Sequence, residues 1–105
     1  MMRRGEIRWY TFKRPDKRRP VLILTRNPAI SHLNTVTVAA ITTTIRHVPS
    51  ELYLTPEDGM PTECVVNFYN INTVPQSKMG ALIAILPPEQ LTAVDQIIEF
   101  VLGMG

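Results

Sequence analysis

Short apolar runs alternate along the chain with polar connectors that contain proline, a pattern typical of a small β protein. The run PVLIL (20–24) is apolar throughout, as expected of a strand buried on both faces. Pro20 occupies its first position, where a missing N–H costs little. The pattern predicts a connector at 27–34 and strands at 6–12, 20–24, 35–42, 51–54, 63–68 and 79–86.

The period of the pattern changes after Pro87, where apolar residues begin to recur at helical spacing. Pro88 suits the first position of a helix, and Gly103 suits the position just past its end. The residues on the apolar face are Leu91, Val94, Ile97, Ile98, Val101 and Leu102. We therefore expect one domain over residues 1–105, a mostly antiparallel β-barrel or sandwich closed by a C-terminal helix.

Composition narrows the class of protein. The chain has 105 residues, of which 45% are hydrophobic, enough for one modest core. No apolar run approaches the about 20 residues that span a bilayer, and the basic start MMRRGEIRWY lacks the apolar stretch of a secretory signal. Because Cys64 is the single cysteine, an internal disulfide is excluded. These features predict a cytoplasmic protein with no membrane contact.

Positive charge is concentrated at the N-terminus. Residues 1–19 contain eight cations and two acids, a net charge of +6, whereas the remainder carries −4. Such asymmetry indicates either a polyanionic partner or a solvated basic face. The densest cluster, Lys17 to Arg19, stands directly before the apolar strand.

The usual catalytic and cofactor motifs are absent from the sequence. Its five glycines are dispersed, so there is no phosphate-binding loop. His32 and His47 have no metal-ligand spacing with each other or with Cys64. We expect both histidines in exposed loops and Cys64 in the core. No metal or cofactor is predicted.

Arg19 and Thr42 are the pair that points to chemistry. Arg19 precedes a buried strand, and Thr42 ends the next one and begins the run TTT. An arginine and a threonine at adjacent strand ends can converge on one phosphate, where the guanidinium offers two parallel donors and a charge. The alternative is an arginine in a surface ion pair and threonines that merely end a strand.

Five segments carry a family resemblance. In order they are RGEIRWY, RRPVLILTRN, TVTVAAITTTIR, DGMPTECVVNFYNINTV and SKMGALIAIL, and the similarity continues to the final VDQIIEFVLG. They resemble the successive motifs of the MazF/PemK family of toxin endoribonucleases. The resemblance implies a small SH3-like antiparallel β-barrel with a C-terminal helix, acting as a homodimer. It also implies metal-independent cleavage of single-stranded RNA, often mRNA, by attack of the 2′-OH, and a cognate antitoxin that covers the RNA groove.

The same resemblance assigns roles to residues. Arg19 and Thr42 match the family's catalytic arginine and threonine, with Arg19 holding the scissile phosphate. Because a guanidinium is a poor proton acceptor, Arg19 is not expected to be the base. The residues assigned to RNA binding are Lys17 and Arg18 for phosphates, Trp9 for base stacking, and Thr43, Arg46, Asn70 and Asn72.

Three features depart from the family pattern. The first loop, KRPDKRR, is shorter than in many relatives. Tyr69 stands where some relatives carry a proposed aspartate base, and Asn72 stands where arginine or glutamine is common. The general base is therefore open among His47, Thr42 and a bound water. Two alternative functions also stay open: a gyrase-poisoning toxin on the same fold, and an inactive member that only binds RNA or antitoxin.

Overall fold

The computed structural model describes residues 1–13 and 18–104, a six-stranded antiparallel sheet with a C-terminal helix. Along the sheet the strand order is β4-β5-β3-β2-β1-β6. The strands are β1 Glu6–Thr11, β2 Arg18–Ile23, β3 Thr35–Thr42, β4 Glu51–Leu54, β5 Cys64–Pro75 and β6 Leu82–Ile85. The helices are α1 Asn27–Ile30 and α2 Pro88–Val101, with 3₁₀ turns at Pro56–Asp58 and Gln76–Lys78. The predicted class, mostly β with a C-terminal helix, is confirmed.

Most of the predicted boundaries agree with the structure to within one residue. However, β2 begins two residues before its predicted start, so that Pro20 is its third residue, and β6 begins three residues after its predicted start. Strands β3 and β4 and the start of α2 lie where the pattern placed them, and Gly103 follows α2 in the left-handed conformation, with φ +70°. The prediction that ended the fifth strand at Phe68 was wrong, because β5 continues to Pro75 along β3. The predicted connector at 27–34 contains the short helix α1. Most of the charged first turn, with Lys17, lies outside the described residues.

Apolar side chains cover both faces of the sheet. On one face Ile7, Leu22 and Phe68 form a core with Val94 of α2. Val21 belongs to the opposite cluster, which packs under α1. Strand β2 is therefore buried on both faces, as its sequence predicts. Cys64 is buried in the first core, and this burial raises the pKa of its thiol.

The sheet curls until the region after β4 touches β6, which gives a half-barrel. Gly59 adopts φ +94°, and a Cβ there would lie 3.0 Å from the Cβ of Ala84 on β6. A side chain at Gly59 would thus be opposed both by its backbone conformation and by this close approach. None of the described helices is long and apolar enough to cross a membrane.

Candidate active-site cleft

Arg19 and Thr42 line the same cleft, at the ends of β2 and β3. Each lies two residues beyond the pair Val21–Ala40, where the two antiparallel strands are in register. The cleft has a volume of about 330 Å³ and is continued by β5 and by the segment 43–50. The two residues that the sequence singled out as a converging pair are brought together by strand pairing.

The rest of the lining is mostly polar. Of the residues assigned to RNA binding, Arg46 and Asn70 belong to it. Sequence reasoning did not assign a site role to five further polar lining residues, Thr44, Ser50, Glu51, Asn67 and Tyr69. One signal for Asn67 was available: it is a polar residue between Val66 and Phe68 in an otherwise apolar strand. Among the described residues, the cleft lining combines two arginines with one carboxylate.

The hydroxyl of Thr42 is oriented by its own turn. Its Oγ1 accepts a hydrogen bond from the backbone N–H of Thr44, at 3.1 Å. A hydroxyl that accepts in this way retains its proton for donation to another acceptor. Thr42 is therefore suited to donate a hydrogen bond to an anionic oxygen beside Arg19.

A bulge in β5 brings side chains into the cleft. Ala39 pairs with Ile71 and Ala40 pairs with Asn67, so the three residues 68–70 lack partners on β3. The Asn67 side chain supports the bulge by accepting the backbone N–H of Tyr69, at 3.0 Å. Extra residues in one strand bend it and redirect its side chains, here to the cleft.

The bulge directs the side chains of Phe68 and Tyr69 to different environments. Phe68 is buried in the core, whereas Tyr69 is 68% exposed at the cleft. The N–H of Phe68 is bonded to the carbonyl of Ser50, at 3.1 Å. This bond joins the bulge to the segment that leads into β4.

Glu51 connects β4 to the segment 43–50. Its Oε1 accepts the backbone N–H groups of Arg46 and His47, both at 3.1 Å. His47 is exposed, and its ring lies 5.9 Å from the ring of Tyr53, centroid to centroid. The Tyr53 hydroxyl donates to the Glu63 carboxylate, which raises the pKa of Tyr53 above its ordinary 10.0. His47, one of the candidates for the base, thus packs beside a neutral phenol.

Trp9 and Thr43 line a second, smaller pocket of about 150 Å³. Its walls are largely apolar and include Met60 and Cys64. Thr42 lines both this pocket and the polar cleft, so the two spaces adjoin. The guanidinium of Arg18 lies over the Trp9 ring, 4.1 Å from its centroid, a cation–π contact.

Asn72 is half-buried and does not belong to the cleft lining. Its Nδ2 donates to Oδ1 of Asn70, at 2.9 Å, and only Asn70 of the two belongs to the lining. The predicted RNA-binding set is therefore divided among the polar cleft, the apolar pocket and a supporting position. Lys17 lies outside the described residues.

Comparison with known proteins identifies relatives along nearly the whole chain. The family described as PemK-like, MazF-like toxin of type II toxin–antitoxin system matches residues 3–102. Probable endoribonuclease MazF2 of Mycobacterium tuberculosis is 45% identical over 91 residues, covering 86% of this chain and 87% of that protein. Endoribonuclease MazF3 of the same species is 41% identical over 83 residues, with 79% and 81% covered.

A solved structure gives the same result for the fold. The structure of the Mycobacterium tuberculosis toxin MazF-mt6 superposes with a TM-score of 0.85 at 36% identity, covering 93% of this chain and 96% of that one. The order of motifs, the curled sheet and the extent of these matches agree. This chain belongs to the PemK/MazF family of toxins of type II toxin–antitoxin systems.

Proposed function

We propose that this toxin is a metal-independent endoribonuclease that cleaves single-stranded RNA, principally mRNA, at a short sequence motif. The observation that carries the proposal is that Arg19 and Thr42 line one polar cleft in a chain of this family. The relatives named endoribonuclease support the reaction class. They also favour it over gyrase poisoning.

The proposed reaction is an internal transesterification. The ribose 2′-oxygen attacks the adjacent phosphorus as the general base takes its proton, the bond to the 5′-oxygen breaks, and that oxygen takes up a proton from water. The products are a 2′,3′-cyclic phosphate and a free 5′-OH. Negative charge grows on the non-bridging oxygens in the transition state, where a guanidinium is most effective. Arg19 supplies this charge, and the Thr42 hydroxyl donates to a phosphate oxygen.

Neighbouring groups hold the rest of the RNA. Arg46 binds a phosphate beside the scissile one, and Asn70 offers an amide to a base edge or phosphate. The apolar pocket at Trp9 and Thr43 accepts a base by stacking. This base belongs to a nucleotide next to the reacting phosphate, because Thr42 lines both the pocket and the cleft. The exposed ring of Tyr69 provides a further stacking face. Lys17 and Arg18 contribute charge to flanking phosphates.

The test is cleavage of a long mixed-sequence single-stranded RNA in excess chelator, with the new 5′ ends mapped. The wild type is compared with Arg19→Ala and with Arg26→Ala. Arg26 is an exposed arginine outside the cleft lining, so its variant has the same change in side chain and charge. We expect cuts at one shared motif for the wild type and Arg26→Ala. Arg19→Ala should be slower by about 100-fold or more, because it removes preorganised transition-state charge.

Three results would contradict the proposal. Intact RNA with the wild type would favour an inactive binding member, or, with inhibition of supercoiling, a gyrase poison. Full cleavage by Arg19→Ala would remove Arg19 from the mechanism. An equal decrease of the cleavage rate in Arg19→Ala and Arg26→Ala would mean that only the overall charge matters.

The toxin is further proposed to work in the cytoplasm as a homodimer, neutralised by a protein antitoxin that covers the cleft. The family description supports the antitoxin.

Exposed apolar side chains support the dimer, because a second copy would bury them. Among them, Leu33, Ile71 and Leu102 line an apolar hollow of about 460 Å³ between the sheet and α2. A molecular mass of one chain in sedimentation equilibrium would contradict the dimer. An antitoxin that binds without slowing cleavage would contradict its placement over the cleft.

A further inference from the structure

We propose that Glu51 is a positioning residue that holds the Arg46–His47 backbone and thereby keeps Arg46 at the RNA cleft. The inference rests on the proposed ribonuclease function. It assigns to the single carboxylate among the described lining residues a role other than that of general base.

Glu51 is itself firmly placed. It is the first residue of β4 and pairs with Asn67 of β5, another lining residue. Its N–H is bonded to the carbonyl of Val48, at 3.0 Å, which closes the turn between them. The preceding residue, Ser50, is 5% exposed, and its carbonyl accepts the N–H of Phe68. Because its own backbone is anchored, the Glu51 side chain can hold in place the groups to which it is hydrogen-bonded.

The backbone groups hydrogen-bonded to Glu51 lie in a turn with an unfavourable backbone conformation. His47 has φ +55° and, among the described residues, is the one non-glycine with positive φ. The left-handed conformation is disfavoured for residues with a Cβ. The N–H groups of Arg46 and His47 both point at Glu51 Oε1, at 3.1 Å each. Hydrogen bonds to an ionised acceptor are stronger than neutral ones, so this carboxylate opposes relaxation of the turn.

The consequence for RNA concerns Arg46. Its side chain is exposed and belongs to the cleft lining, so its position depends on its own backbone. Without Glu51, the turn relaxes and the guanidinium samples positions away from the phosphate. Arg46 binds substrate and transition state alike in the proposed mechanism. Loss of its positioning should therefore raise KM more than it lowers kcat.

The kinetic test compares Glu51→Ala, Glu51→Gln and Glu99→Ala on a short RNA that contains the mapped motif. Gln retains a side-chain oxygen that accepts both N–H groups but cannot take up a proton. Glu99 is an exposed carboxylate of α2 and controls for the change in charge. We expect KM to rise about 10-fold in Glu51→Ala, as for the loss of charged hydrogen bonds. It should rise less than about 3-fold in the other two variants. An equal decrease of kcat in Glu51→Ala and Glu51→Gln would overturn the proposal and favour a base.

A second-site variant tests the backbone argument directly. Glycine adopts positive φ without a steric penalty. RNA affinity is measured in the Arg19→Ala background, where the RNA stays intact and a catalytic role of His47 has no influence. There, Glu51→Ala with His47→Gly should have a Kd much closer to that of the background than Glu51→Ala alone has. A Kd as high as with Glu51→Ala alone would contradict a role through the turn.

Amide hydrogen exchange tests the same point without RNA. The amides of Arg46 and His47 should exchange slowly in the wild type and at least 10-fold faster in Glu51→Ala, a change of about the size of one hydrogen bond to a charged group. The rate in Glu51→Gln should be intermediate, because its hydrogen bonds are neutral. Unchanged exchange would overturn the positioning role even if the kinetics agreed. If the wild type fails to cleave RNA while the exchange result holds, the ribonuclease proposal fails and the structural role of Glu51 stands.

Discussion

Hydrogen bonds from neighbouring residues orient two of the side chains that line the cleft. The Thr42 hydroxyl accepts the N–H of Thr44, and the Asn70 amide oxygen accepts from Asn72. Each bond fixes a rotatable group in the orientation that a ligand would meet, which lowers the entropic cost of binding. The donor to Asn70 belongs to the Asn72 side chain, so substitution of Asn72 should affect RNA binding even though the Asn70 side chain is retained.

We expect Asn72→Ala to weaken RNA binding about fivefold, equivalent to one neutral hydrogen bond of roughly 1 kcal/mol. Affinity is measured by fluorescence anisotropy in the Arg19→Ala background, so that the RNA stays intact. Asn34→Ala, at an exposed asparagine outside the cleft lining, is the matched control. An unchanged affinity in Asn72→Ala would show that Asn70 does not need its partner.

At the scale of elements, β5 organises both the site and the fold. Its first half pairs with β4 and β3, its bulge supplies the cleft, and its second half pairs with the start of β3. Just beyond its end, the two N–H groups of Gln76 Nε2 donate to the carbonyls of Ile30, Leu33 and Thr35, at 2.9, 3.0 and 2.9 Å, so that one N–H is shared. One amide thus ties the connection between α1 and β3 to the end of β5.

Gln76→Ala should lower the free energy of unfolding by about 1–2 kcal/mol, because it leaves carbonyl oxygens without their donor. Urea denaturation at a fixed protein concentration measures the change. Ser77→Ala alters the exposed next residue of the same 3₁₀ turn and should have little effect. Similar stability in the two variants would show that water replaces the amide at those carbonyls.

For the molecule as a whole, the N-terminal charge is less available than the sequence suggests. Arg4 forms an ion pair with Asp95 of α2, at 2.6 Å, and Arg8 pairs with Glu6, at 2.8 Å. A cation engaged by a neighbouring carboxylate contributes less to the field that attracts a polyanion. Arg4 and Arg8 are therefore less available to a polyanion than the sequence alone suggests; the densest cluster of cations in the sequence is Lys17 to Arg19.

Charge reversal of Lys17 and Arg18 to Glu should weaken RNA binding and flatten its salt dependence, by about 0.7 in the log–log slope for each phosphate that the variant no longer neutralises. The control reverses Arg26 and Lys78, which are exposed and lie outside that cluster, with the same change in net charge. Titrations at several salt concentrations give the slopes. Equal slopes for the two double variants would mean that overall charge, and not this cluster, attracts the RNA.

Much of the fold could be predicted from local pattern. The bounds of β3 and β4, the start of α2 and the double burial of β2 follow from side-chain period and from proline positions. The convergence of Arg19 and Thr42 was also accessible, since each borders a predicted strand. The continuation of β5 was not, because asparagine, here Asn70 and Asn72, is depleted in strands. Beyond the unpaired residues 68–70, the pairing of 71–75 with Thr35–Ala39 of β3 continues the strand.

The sequence by itself determined which segments form strands and which faces are apolar, because these properties depend on neighbours along the chain. Tertiary structure decided the offset of β5 against β3, the bulge at 68–70 and the pairing that places Glu51 opposite Asn67. It also assigned Trp9 and Arg46 to separate pockets. Register between distant strands is set by the packing of the whole sheet, so no local pattern encodes it.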